Sequence, residues 1–536
     1  MTRKTDQILL DRLAMAAREG KISRRSFLHY AGVAGVTATA ATGLWSKSAA
    51  AQPQRGGTFR WGVHDGNSSD THDPGTYVTR QMIFLAHTHR SYLTMITPEN
   101  DLGPDLATEW SATPDAAEWT FKLNENASFH SGGKVTAQDV VDSLNHHRGD
   151  ESTSAAKALL SDVTDIKADG DYSVVITLAR GNADLPWLMT DYHFAICPSD
   201  GDGGIDWASG DGTGPYKIES GEFGIQWELS RHDGWHGEGA YFDNVNMIIL
   251  NDPNARQTAL VTGDVDAVSL IELKTMALLE RNPDITVDNI PSGGAITMPM
   301  HCNTAPFDDV NVRNALKLSI DRDEIIEKIS FGAATKANDF HLSPVQPYWP
   351  DDIPQREYDP DQAKSLLKKA GQEGLSVNMS VAESVYTGAV DMCVLYAAQA
   401  KAAGITINVV REPNDGYYSD VWLKKPFSAV SWGARPTPDV MFTLAYKDDA
   451  AWNETYWQNE RFNELLLAAK GELDDNLRAE MYREMCMLMR NDGGTLLPFF
   501  NNWVYARGKG VERAENVAAS WSCDGARAAS RWWFSA

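Results

Sequence analysis

The chain has 536 residues, of which 43% are hydrophobic and 10% aromatic, and a formal net charge of −25. That composition excludes a disordered polymer, and the length exceeds what one ordinary core serves, so two or more lobes are expected. The acidic balance argues against nucleic acid or an anionic membrane surface as a partner.

The N-terminus bears on the compartment. Residues 22–29 read Ile-Ser-Arg-Arg-Ser-Phe-Leu-His, and the pair Arg24-Arg25 before Phe27-Leu28 resembles a twin-arginine export signal. The weakly apolar stretch from Ala31 to Leu44 is too short to span a bilayer and fits a signal h-region. Ala49-Ala50-Ala51 offers a cleavage site before Gln52. Residues 1–51 are therefore expected to be a signal peptide and the rest a periplasmic protein, against the competing reading of a cytosolic amphipathic helix. The signal holds eight Lys/Arg and three Asp/Glu, which leaves −30 on the remainder. The twin-arginine route carries folded proteins, so an exported hydrolase or oxidoreductase stands as the alternative from another class. No later stretch reaches the roughly 18 apolar residues of a membrane span.

Thr58 to Val63 follows a Gly-Gly turn and reads as a first strand. Trp119, Phe121 and Leu123 alternate with polar residues, a half-buried strand. Thr136 with Asp139 three residues on predicts a helix start, and the β-branched run Tyr172 to Leu178 a further strand. Asp200 to Gly214 is a Gly/Asp-rich loop. Val245 to Leu250 predicts a buried strand and Ala255 to Val261 a helix closed at Gly263. In the second half, Val312, Ala315 and Leu316 share one helical face. Asp321 caps a helix carrying Ile325, Ile326 and Ile329, and Asp359 caps another with Pro360 at its first position. Phe462 to Ala469 and the Met-rich Leu477 to Met489 predict two late helices. Alternating strands and helices indicate α/β layers.

Four segments in order carry a family resemblance. They are Leu106-Ala-Thr-Glu-Trp-Ser with Glu118-Trp-Thr-Phe-Lys-Leu and Gly133 to Val141; Gly212-Thr-Gly-Pro-Tyr216 with Asp252-Pro-Asn-Ala-Arg256 and Gly263-Asp-Val-Asp266; Pro306 to Ala315 with Ile320-Asp-Arg322; and Tyr358-Asp-Pro-Asp-Gln-Ala-Lys364. Together they resemble the family 5 solute-binding proteins of ABC importers, which bind peptides, opines and nickel complexes. The resemblance implies a two-lobed α/β periplasmic-binding-protein fold with an enlarged first lobe and the ligand cleft between the lobes. Lobe one is expected over 52–292, with an inserted subdomain at roughly 80–205, and lobe two over 293–504. Residues 505–536 return to lobe one. The crossings are expected near Pro291 to Asn303 and Pro498 to Tyr505. The implied partners are a small-molecule or oligopeptide ligand and the importer's permease and ATPase subunits. The receptor is expected to be a monomer without catalysis, cofactor or metal.

The segment Ser431-Trp-Gly-Ala-Arg-Pro-Thr-Pro-Asp439 is the most informative about the ligand. The resemblance implies an Asp shortly after the Trp in peptide binders, pairing with the peptide ammonium; Ala434 and Arg435 stand there instead. An arginine suits a carboxylate or phosphate, which points to an anionic solute, unless Arg435 is engaged by Asp439. Trp432 offers a stacking face, and Tyr417, with Tyr418 and Trp422, lies just upstream. Met300, His301 and Asn303 sit at the expected crossing, Tyr216 follows a Gly-rich turn, and His64 with Asp65 ends the first strand. The candidate ligand residues are therefore Trp432, Arg435, Asp439, Tyr417, Asn303, His301, Tyr216 and His64.

Enzyme signals are weak. Ser154-Ala-Ala-Lys157 and Ser365-Leu-Leu-Lys368 match S-x-x-K without its companion motifs. No P-loop is present, so import energy must come from partner subunits. His232 and His236 fall in a Gly-rich turn, and the thirteen His form no Cys/His constellation, which leaves nickel-complex binding as a minor alternative. A chaperone-like binder of unfolded chains is a third. The five Cys are scattered and odd in number, so at least one is expected to be free.

Overall fold

The computed structural model describes residues 53–535; the export signal expected at 1–51 lies outside the described residues. Strand β1 (Thr58–Val63) and helix α1 (Arg80–His89) come first. A four-stranded antiparallel sheet follows, made of β2 (Ala107–Ala112), β3 (Glu118–Leu123), β4 (Val163–Ala168) and β5 (Ser173–Leu178) in the order β2-β3-β5-β4. Trp119, Phe121 and Leu123 bury one face of β3, as their alternation predicts. Helix α2 (Ala137–Asn145) starts at the Thr136–Asp139 capping box and adds Val140 and Leu144 to the same core.

A larger, nine-stranded sheet spans both halves of the chain. Strands β6 (Tyr216–Glu222), β7 (Gln226–Arg231) and β8 (Asn244–Ile249) lead to helix α3 (Pro253–Thr262), which ends on left-handed Gly263, and to short β9 (Ala267–Val268). β8 and β9 flank β1 in parallel. In β8, Val245, Met247 and Ile249 enter one core, while partly buried Ile248 packs on the opposite face against the cluster around Leu260 and Val268, so the apolar run is covered on both faces as it predicts.

Strand β10 (Ile285–Pro299) comes next. It is followed by α4 (Val310–Leu318), α5 (Arg322–Ile329), β11 (Ala334–Lys336), α6 (Pro360–Lys369), β12 (Ser376–Val381), α7 (Ala389–Ala400), β13 (Thr406–Arg411) and β14 (Val430–Trp432). Then come α8 (Pro438–Ala445), α9 (Glu460–Gly471), α10 (Asp475–Asn491) and strand β15 (Thr495–Gly508). β10 and β15 pair antiparallel from Ile285–Gly508 to Pro299–Thr495, longer than the crossings predicted from sequence. The sheet runs β14-β10-β15-β9-β1-β8-β7-β6, with β11 also on β15. After β15, Val511, Cys523 and Trp532 pack among Phe59, Trp61 and Val245. All five cysteines are free thiols, and no helix among the described residues is long and apolar enough to cross a membrane.

Candidate functional site

The Arg435 loop rests on the crossing strands. β14 sets Trp432 opposite Ala295 of β10, and the chain then runs through Gly433 to Pro436 into α8. The β10–β15 register slips between Pro291 and Ala295. In that slip Gly293 lies so close to the loop that a Cβ would stand 3.2 Å from the Ala434 Cβ. Gln346 clasps the loop from outside: its Nε2 donates to the Arg435 carbonyl at 2.8 Å, and its Oε1 accepts from the Ser343 N–H at 2.9 Å. The Arg435 side chain donates only to carbonyls of its own loop, Gly433 at 3.2 Å and Ala434 at 3.0 Å. Among the described residues no carboxylate is within ion-pair distance of it. Burial lowers its pKa, yet a guanidinium stays charged at any ordinary pH.

A second guanidinium comes from the first lobe. Arg80, the first residue of α1, lies 4.6 Å from the centre of the Trp521 ring. Tyr192 meets Trp521 edge-on at 5.5 Å, and Trp503 lies 6.2 Å from it. Arg80 also makes no ion pair among the described residues. Burial, and then the Asp191 carboxylate, push the Tyr192 phenol up to about 12, while Arg80 and Arg435 both pull it back. Asp191 itself is tied to His193, with its Oδ1 2.6 Å from the imidazole Nδ1. His64 lies behind Arg80, its Nδ1 2.7 Å from Ser269 Oγ; burial, then Arg256 and Arg80, depress it to about 3, so it is neutral.

The other candidates fall elsewhere. Tyr216 is fully buried, and its hydroxyl donates to the Phe242 and Ala529 carbonyls, a core role in the first lobe. Tyr417 does the same in the second, donating to Ser380 and Ala429. Both are corrected from cleft to core, because each ring is buried and its one proton is already shared between backbone carbonyls. His301 is buried against Tyr456 at 4.7 Å, and Asn303 is exposed and accepts from the Thr304 hydroxyl; neither touches the Arg435 loop. Asp439 is corrected too. It is buried beside Asp184, Lys470 and Arg478, where burial first and then Asp184 raise it to about 7, so it does not engage Arg435. Trp432 is buried rather than open to stacking; its ring packs on Trp422 at 6.1 Å and on the half-exposed Trp452 at 6.0 Å. Beneath these rings lies Glu454, which accepts from Thr297 Oγ1 at 2.7 Å and Trp422 Nε1 at 2.8 Å and is raised by burial to about 7.

Arg435 lies on the loop after β14 and His64 follows the end of β1, while Arg80, Tyr192, Trp503, Trp521 and Gln346 are absent from the residues singled out by sequence. The only signal for Arg80 is a helix start after Thr79, which is shared with many structural arginines.

Comparison with known proteins agrees with this architecture. The family model described as bacterial extracellular solute-binding proteins, family 5 (middle) matches residues 101–454. The dipeptide-binding protein of Escherichia coli K12 is 22% identical over 435 residues, covering 74% of this chain and 80% of that protein. The structure of HbpA2 from Haemophilus parasuis matches with a TM-score of 0.79 at 18% identity, over 88% of this chain and 99% of the other. That of the periplasmic binding protein AgaA with agropinic acid, from A. tumefaciens R10, matches at 0.67 and 21% identity, over 89% and 99%.

Proposed function

We infer the role of this chain from the family to which it belongs, the bacterial extracellular solute-binding proteins of family 5. It is the substrate-binding receptor of an ABC importer. The lobes hinge on β10 and β15 and close on a solute, with the closed state favoured by contacts the solute makes to both lobes. The permease and ATPase subunits then receive the solute and supply the energy. In this reading the protein is periplasmic and monomeric, performs no turnover, and is divided near residues 292 and 504.

The captured solute carries an anionic group. The observation that supports this is Arg435, with no ion-pair partner among the described residues, on a loop next to the crossing strand β10. It stands where the family resemblance implies an acid in peptide binders, so a free peptide ammonium would meet a like charge. The ligand of one matched structure, agropinic acid, is an acid.

Thermal unfolding of residues 52–536 against a solute panel tests this. Di- and tripeptides, N-acetylated peptides, opine-like acids, oligosaccharides and nickel chelates form the panel. A ligand at a hundred times its Kd adds about 2.7 kcal/mol, which raises the midpoint measurably. Anionic non-peptides are expected to raise it, and Arg435→Ala to abolish the shift. A shift by free peptides that N-acetylation removes would mean that another residue holds an ammonium and that the anion reading is wrong.

A further inference from the structure

We propose that Tyr418, Trp422 and Trp452 form an open aromatic cluster that receives a quaternary ammonium group, with the Glu454 carboxyl behind it as the buried counter-charge. This group is distinct from the anion read at Arg435, and no residue is shared. Four aromatic side chains are exposed among the described residues, and three of them, Tyr418, Trp452 and Tyr456, stand in the short segments 418–422 and 452–456. Trp422 joins the two segments. Tyr418 meets its ring at 5.9 Å and 74°, and Trp452 meets it at 5.9 Å and 58°. Rings inclined so steeply make corners, which suit a tetrahedral cation better than a flat body that needs parallel faces. The buried Trp432 ring, 6.1 Å from Trp422 and 6.0 Å from Trp452, holds the pair in place before any ligand arrives.

Exposed rings alone would suit any apolar body, and the charge behind them decides between bodies. Glu454 is buried and accepts from Thr297 Oγ1 at 2.7 Å and from Trp422 Nε1 at 2.8 Å. Both donors are neutral, and the carboxyl has no cation partner among the described residues. An ionised carboxylate on the indole N–H polarises that ring and strengthens its negative face. Such a face attracts a cation that lies within about 6 Å of the ring centre. A primary ammonium would give up hydrogen bonds to water there without gaining an acceptor. A quaternary ammonium has no N–H to leave unsatisfied, so it keeps the attraction at little desolvation cost. The acidic balance of the chain adds a long-range pull on cations.

The test is calorimetric titration of the full mature chain at pH 8, above the value of about 7 to which burial raises Glu454. Choline is compared with the neutral alcohol that has carbon in place of its nitrogen, and with ethanolamine, its primary-ammonium counterpart. Choline is expected to bind, and the alcohol and ethanolamine to bind at least about tenfold more weakly. Trp452→Ala and Tyr418→Ala, both at exposed positions, should each weaken choline about twofold to thirtyfold, the range of one cation–π contact. Trp452→Phe should regain part of that loss. Glu454→Gln keeps an acceptor for the Trp422 N–H and removes only the charge, so it should cost about tenfold. Equal binding of choline and the alcohol would reduce the cluster to an apolar patch and overturn the proposal. So would no binding of choline, or wild-type affinity in either Trp452→Ala or Glu454→Gln. Any of these failures leaves the anion reading standing, because no probe carries an anionic group.

Discussion

Arg435 and Arg478 both stand between β10 and β15 in the chain, but only Arg478 has an acid waiting for it. Arg478, on α10, places Nη2 2.5 Å from Asp184 Oδ1, with both side chains almost wholly out of solvent. Its remaining donors reach the Ala469 carbonyl and the Tyr348 hydroxyl, and the Tyr348 ring lies 4.9 Å away. Arg435 has only the carbonyls of its own loop. Elsewhere Arg322 and Arg356 share Asp339, and Arg507 and Arg513 share Asp288. The fold supplies these arginines with a counter-charge but not every structural one: among the described residues, buried Arg90 and Arg256 are held by backbone carbonyls. An arginine without an acid carries a standing energetic cost, because a guanidinium cannot neutralise itself.

The sharpest way to break this distinction is to remove each arginine in turn. Arg478→Ala strands Asp184 in a buried site and should lower stability by about 3–5 kcal/mol in urea unfolding. Asp184→Ala should do similar damage from the other side. Arg435→Gln, measured the same way, should leave stability unchanged or slightly higher. Equal losses at the two arginines would erase the difference on which the functional reading rests.

Glu454 is the mirror image of Arg435, a buried acid with no cation partner among the described residues. Being an acid, it has an escape that the guanidinium lacks, and burial raises its pKa to about 7. The folded protein therefore holds a proton there that the unfolded chain, titrating near the ordinary carboxylate value, has already released. The folded state gains from this below the unfolded pKa, and the gain is lost as pH rises through about 7. Asp439, raised to about 7 by burial and Asp184, acts in the same direction. Stability should thus fall between roughly pH 4.5 and 8, with Glu454 contributing up to about 3 kcal/mol. In Glu454→Gln the part due to this residue should vanish, while Asp439→Asn removes the remainder. A slope unchanged in Glu454→Gln would mean that the carboxyl is already ionised beneath Trp422.

The fold was largely legible in the sequence because its signals are local. The caps at Asp321 and Asp359, the Thr136–Asp139 box and the stop at Gly263 fall where the spacing puts them. For the proposed site, the sequence offers one mark, the departure from a family pattern at Arg435. Tyr216 and Tyr417 misled because an amphipathic phenol satisfied by two backbone carbonyls reads from sequence like one that awaits a ligand. Arg80, Tyr192 and Trp521 were invisible because they are about 110 to 440 positions apart in the chain, and only the fold brings them to one ring. The length of β10 was underestimated for a similar reason: its pairing with β15 begins at Ile285, before the prolines and glycines that look like its boundary.

The mildest prediction concerns how the two arginines are mounted. Arg478 stands within a 17-residue helix, so its position follows from regular hydrogen bonding and helix packing. Arg435 stands on a loop positioned by one close approach, Gly293 beneath Ala434, and one side-chain clasp, Gln346. Gly293→Ala places a methyl 3.2 Å from the Ala434 Cβ, tighter than ordinary contact, so the loop must shift by a few tenths of an ångström. The stability loss should be only about 1 kcal/mol, and the Arg478–Asp184 contact should be untouched. Affinity for the anionic probe should nevertheless weaken severalfold, because a fork of hydrogen bonds tolerates little misplacement. If Gly293→Ala costs stability without changing affinity, Arg435 does not depend on the bulge for its aim. If affinity falls by as much as in Arg435→Gln, the bulge is as important to recognition as the guanidinium it carries.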